Sequence, residues 1–161
     1  MRRRILLLAA LATPGLALIA AAPAAPKAAP KAGPVNAEGG LALAGHDPVA
    51  YFTESRATPG RADLTAAHDG ATYRFASTAN RDAFRANPEQ YLPQYGGYCA
   101  FGLARGYKAA IEPAAFTIAN GRLYLNYNAA IQDQWRRQQA ADIGRADANW
   151  PKVRLSPDVA R

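Results

Sequence analysis

Beyond Met1 this 161-residue chain holds one cysteine, Cys99, two histidines, His46 and His68, and no further methionine. A thiol with two imidazoles suits copper or zinc, whereas an all-sulfur copper site is impossible with a single sulfur. Composition therefore permits one kind of metal centre, a mixed site drawn from Cys99, His46 and His68. Two plainer readings compete with it. A lone cysteine between Tyr98 and Ala100-Phe101 is equally a small buried apolar residue, and a histidine beside a turn is equally a capping or surface group. A single thiol that bridges must bridge to another molecule, so a thiol-linked dimer is the third possibility.

The second chemistry is that of a small-ligand pocket. Of eight tyrosines, five fall between Tyr73 and Tyr107, and phenols beside the Gly96-Gly97 backbone can line a site for a planar molecule. Tyr51, Tyr73, Tyr98 and Asp47 are the candidates; the competing reading is that these rings pack a core. Catalysis has little to stand on. There is no nucleophile elbow, phosphate-binding loop or His-Glu-x-x-His helix, and nothing in the spacing brings a histidine to the thiol. The expectation is a protein that is not an enzyme.

The compartment is set by the first residues. Arg2, Arg3 and Arg4 precede an apolar run from Ile5 to Ala22, closed by small residues, which reads as a secretory signal over residues 1–24 and a periplasmic or secreted destination. Thr13-Pro14-Gly15 interrupts a segment already near the short end of the roughly 17–25 residues a membrane span needs. No membrane span is expected after cleavage. Removing those three arginines from 19 Lys and Arg leaves 16 basic against 12 acidic side chains, a net +4. The basic residues are scattered, which argues for a solvated surface and against a nucleic-acid partner. Residues 25–40, rich in Ala, Pro and Lys with a near-repeat at 25–28 and 29–32, read as a disordered spacer, so the folded part is expected over residues 41–155.

The elements that must position these groups follow from turn and cap chemistry. Asp69-Gly70 and Asn120-Gly121 are two-residue hairpin turns. Their arithmetic pairs Leu64 with Phe75, Ala66 with Tyr73 and His68 with Ala71 in one hairpin, and Phe116 with Leu125 and Ile118 with Leu123 in the other. His68 then points to the apolar side, with Thr72 and Arg74 on the opposite face. Ser77 caps a helix to about Ala86, Asn87-Pro88 starts another, and Ile131 and Trp135 share a helical face. So do Ile143, Ala146 and Trp150, before Pro151 stops the last helix. The fold class is α+β: two β-hairpins with short helices around one small core, Tyr51, Phe84 and Trp150 included, and a helical carboxyl end.

Three segments now carry a resemblance: Gly45-His46-Asp47-Pro48-Val49-Ala50-Tyr51-Phe52, Tyr73-Arg74-Phe75-Ala76-Ser77-Thr78-Ala79-Asn80-Arg81-Asp82-Ala83-Phe84 and Asn87-Pro88-Glu89-Gln90-Tyr91 resemble the YHS domain. Tyr95-Gly96-Gly97-Tyr98-Cys99-Ala100, Leu123-Tyr124-Leu125-Asn126-Tyr127 and Ala146-Asp147-Ala148-Asn149-Trp150-Pro151 are similar to its longer exported bacterial branch. The resemblance implies an exported accessory protein, with Cu, Zn or a small ligand handled around Cys99. It does not carry over a ligand set. Cysteine-rich members bind metal through thiols near the Tyr-x-Phe hairpin and the following helix, where this chain has Ala76 and Asn80, and it has no cysteine after Asp47-Pro48. His46 stands where the exported branch shows tyrosine.

Overall fold

The computed structural model describes residues 33–161; the expected signal peptide and the first part of the expected spacer lie outside them. Both hairpins form where the turn dipeptides place them. Asp69 and Gly70 take φ of 47° and 76°, and Asn120 and Gly121 take 51° and 71°, the two successive positive values a type I′ turn requires. Strands β3 (Arg61–His68) and β4 (Ala71–Phe75) pair antiparallel, and β5 (Phe116–Ala119) and β6 (Arg122–Leu125) do the same. Two short strands, β1 (Ala37–Glu38) and β2 (Leu41–Ala42), add to the first hairpin in the order β1-β2-β4-β3, β2 running parallel to β4. With six α-helices beside these sheets among the described residues, the α+β class holds.

The second hairpin has the expected register, Phe116 opposite Leu125 and Ile118 opposite Leu123. The first keeps it only near the turn, with His68 opposite Ala71 and Ala66 opposite Tyr73. Further out the register shifts, and Arg61, not Leu64, faces Phe75. The cause lies just upstream. Gly60 N–H donates to the Gly45 carbonyl at 2.9 Å and Asp47 N–H to the Thr58 carbonyl at 2.9 Å, which ties the entry of β3 to the 45–47 turn and leaves the intervening residues as a bulge. Gly60 is required there, since a Cβ would meet the Arg74 backbone at 2.5 Å. The faces are unaffected: Tyr73 and Phe75 are buried, Leu64 packs against the same core and Thr72 is exposed.

Helix starts follow their caps. α1 (Ala50–Thr53) is opened by Asp47, α2 (Thr78–Ala86) by Ser77, whose hydroxyl accepts from Asn80 N–H at 3.1 Å, and α3 (Pro88–Tyr91) by Pro88 in its first turn. After α4 (Ala100–Leu103), Asn128 caps α5 (Ala129–Arg137) by accepting from Ile131 N–H at 2.9 Å. The last helix, α6 (Gln139–Val153), runs through Pro151 instead of stopping there. A proline in a final turn forfeits a single hydrogen bond to the carbonyl four residues back, and Arg154 N–H still closes the turn onto the Trp150 carbonyl at 3.0 Å.

The core is divided, which corrects the expectation of a single one. One cluster holds Tyr51, Tyr73, Phe75, Phe84, Leu123 and Leu125; the other holds Tyr95, Tyr98, Leu103, Tyr124, Trp135 and Ala146, with Trp150 packed against it. Strand β6 is the partition: period-two alternation sends Leu123 and Leu125 to the first cluster and Tyr124 to the second. Tyr51 and Phe84 therefore do not share a core with Trp150. The ordered fold also exceeds its expected bounds. Asn36 N–H donates to the Gly96 carbonyl at 2.8 Å and β1 pairs with β2, where spacer was expected. At the other end Ala160 bridges to Ala109 beyond the expected last residue, 155.

Candidate functional site

Cys99 is placed by the segment that precedes it. Tyr95, Gly96 and Gly97 take φ of 56°, 61° and 82°, and a Cβ on Gly96 would strike the Pro34 carbonyl oxygen at 1.9 Å. This tight turn lets the chain run parallel to β6, with Pro93 bridged to Leu123 and Cys99 to Leu125. Cys99 N–H then donates to the Ala109 carbonyl at 3.1 Å, and α4 begins at the next residue. The thiol is 1% exposed and lies 3.8 Å from Asn126 Oδ1, toward which it can donate. Burial pushes the thiol pKa up; the backbone N–H groups of Gly102, Tyr127 and Phe101, and the charge of Arg105, pull against that rise.

The same thiol walls a cleft of about 180 Å³, shared with Phe101, Tyr107, Ala109, Tyr127 and Ile131, and with Ala160 and Arg161 at the end of the described chain. Apart from Cys99, Tyr107, Tyr127 and Arg161, the residues that line it are apolar. Tyr107 and Tyr127 remain 43% and 42% exposed, among the few large apolar side chains so open to solvent. Arg105 lies over the Phe101 ring at 3.3 Å, which fixes that wall.

The histidines do not come to the thiol. His46 precedes α1, and its Nδ1 donates to the Leu43 carbonyl at 3.2 Å. His68 ends β3, edge-on to Phe84 at 6.0 Å, with Nε2 3.6 Å from Asp69 and 3.8 Å from Glu89 carboxylate oxygens. Among the described residues no group of three or more His, Cys, Asp or Glu side chains is placed to hold a metal ion. No such group gathers Cys99, His46 and His68 among the described residues, and the reason is topological. Both histidines belong to the turns around the first hairpin, while Cys99 lies along β6 at the start of α4.

Most of the expected ligand-binding residues are occupied with holding the fold. Both Asp47 carboxylate oxygens are spent: Oδ1 accepts from Val49 and Ala50 N–H at 2.8 and 3.3 Å, Oδ2 from Ala76 N–H and Asn80 Nδ2 at 2.8 and 2.7 Å. Tyr51 is enclosed, donates to the Pro113 carbonyl at 3.1 Å and packs edge-on to Phe116. Tyr98 donates to the Gly33 carbonyl at 2.8 Å and carries the buried Lys108 ammonium 4.7 Å above its ring. Tyr73 packs on Phe84 and reaches a second opening of about 550 Å³, with Asp69, Glu89, Tyr95 and Trp150 on its walls. Of the residues that line the Cys99 cleft, Tyr107 stands in the run of five tyrosines read as possible pocket lining, whereas Tyr127 and Ile131 were not read as lining. Of those two, Tyr127, directly after a strand whose alternation is visible, is the one that carried a signal.

The family model of the YHS domain matches residues 49–95, so the chain carries a YHS domain from α1 to the turn before Cys99. Tyr51, His68 and Tyr73 fall inside the match; Cys99 and the lining of its cleft fall beyond it. No curated protein and no solved structure is significantly similar to the chain.

Proposed function

Starting from a YHS domain over residues 49–95 and an apolar cleft beyond it, we propose that this is an exported accessory protein that binds a small, ring-sized organic ligand against Cys99. The observation that carries the reading is the pair of tyrosines, Tyr107 and Tyr127, left over two-fifths exposed around an opening that Cys99 also lines. Burying such rings against a ligand is favourable at about 25 cal/mol per Å² of apolar area. A cavity of about 150 Å³ accepts a benzene ring, so about 180 Å³ suits one ring with a short substituent. The amino-terminal arginines and apolar run support export.

The metal alternative retains one donor at this place. A single thiolate leaves the remaining positions of copper or zinc to water, which makes for weak binding. Binding also suits the site better than catalysis, because the groups against the thiol are a carboxamide and backbone N–H groups, none of which takes up a proton. The test is a nuclear magnetic resonance titration with α-methylstyrene. Saturable shifts of the Ile131 methyls and of the Cys99 and Tyr127 amides support the reading. Shifts confined to the Tyr73 and Trp150 opening, or none at all, overturn it.

A further inference from the structure

Three segments meet beside Cys99. Its N–H donates to the Ala109 carbonyl at 3.1 Å, Ala110 N–H donates to the Ala160 carbonyl at 3.0 Å, and Ala160 N–H donates to the Lys108 carbonyl at 2.9 Å. Arg161 thus follows directly on a two-bond bridge, and both it and Ala160 line the Cys99 cleft. Among the described residues on that lining, Arg161 is the one that carries a charge; no aspartate or glutamate is there. Its side chain is 81% exposed, and its pair with Glu38, itself 89% exposed, is 3.9 Å long. An ion pair so open to water holds weakly, which leaves the guanidinium able to exchange partners. A second guanidinium, Arg105, stacks on the lining residue Phe101 at 3.3 Å. Asp142 faces both Arg105 and Arg145 and balances one of the two charges, so that wall is positive as well.

Resting on the cleft reading above, we propose that the ligand is an aromatic monocarboxylate, its ring between Tyr107 and Tyr127 and its carboxylate on Arg161. The ring takes the apolar lining. The carboxylate, paired with an exposed side chain, keeps part of its water and so escapes the cost of a buried anion, while the planar fork of arginine can meet both of its oxygens. A ligand bearing an ammonium group would face the same cation with the wrong sign, with no lining carboxylate to offset it. At about 180 Å³ the cleft admits a single ring, so the class is that of benzoate.

The test pairs benzoate with α-methylstyrene, which has the same shape with CH2 and CH3 in place of the two oxygens and no charge. In a nuclear magnetic resonance titration both should shift the Ile131 methyls and the Cys99 amide. In Arg161→Gln, benzoate should lose roughly two- to fivefold in affinity relative to α-methylstyrene, the effect of one exposed ion pair. Added salt should move the ratio in the same direction on the unaltered protein. Benzoate that leaves the Ile131 methyls unmoved while α-methylstyrene shifts them, or an affinity ratio unchanged in Arg161→Gln, overturns this inference and leaves the cleft reading standing. If neither probe binds, both readings fall. Should Arg161→Gln fail to fold, the salt dependence of the ratio on the unaltered protein decides.

Discussion

Asp47 and Cys99 look alike as candidate ligands, yet the fold uses them in different ways. Asp47 joins three elements through four hydrogen bonds: the start of α1, the end of β4 and Asn80 of α2. Asp47→Ala leaves enclosed N–H groups without acceptors and should cost about 3 kcal/mol or more in denaturant unfolding, with α-methylstyrene binding unchanged. A loss under about 1 kcal/mol would contradict the bridging role. That role was not legible, because Ala76 and Asn80 are some thirty residues away in sequence and nothing local announces them. Cys99 was legible as the singular residue of the chain. Its grouping with Tyr107, Tyr127 and Ile131 was not, since the cleft joins α4, the loop at Tyr107 and the start of α5, and the spacing between those segments carries no periodic signal.

At the scale of elements, turn and cap chemistry was readable where it is local. Asp69-Gly70, Asn120-Gly121 and Ser77 each fix geometry within four residues, and the structure follows them. The β3 bulge was not readable, because its cause is the tether between residues 58–60 and the 45–47 turn. Two glycines test this distinction with opposite signs. Gly144, on the exposed face of α6, would place a Cβ in open space, so Gly144→Ala should raise stability by about 0.5–1 kcal/mol. Gly96→Ala should lower it sharply, because its Cβ meets the Pro34 carbonyl oxygen and its φ is +61°. Thermal unfolding of both variants checks the pair; a neutral Gly96→Ala would contradict the turn that places Cys99.

For the whole molecule, the alternation along β6 shows both what was visible and what was missed. Leu123 and Leu125 could be assigned to an apolar face. That Tyr124 faces a second core could not, because the partners of Tyr124, among them Trp135 and Tyr95, are supplied by helices and turns outside the hairpin. A fold with many enclosed phenols has a definite response to alkali. Burial raises the pKa of Tyr51, Tyr73, Tyr95, Tyr98 and Tyr124 and of the Cys99 thiol. Each such group contributes stability that is complete below its unfolded pKa, near 8.5 for a thiol and about 10 for a phenol, and is lost as pH climbs toward the folded value. Lys108, lowered by burial, acts in the opposite sense, since its share is complete above its unfolded pKa and is lost as pH falls through the folded one. With six groups against one, the unfolding midpoint should fall as pH rises past about 9; a midpoint flat to pH 11, on the order of one unit above the phenol value, would contradict the enclosure of these rings. The claim on which the functional account rests is narrower, and a crystal structure of the protein grown with α-methylstyrene tests it most directly. The account predicts a ring between Tyr107 and Tyr127, against Cys99; α-methylstyrene in the Tyr73 and Trp150 opening, with the Cys99 cleft empty, would contradict it.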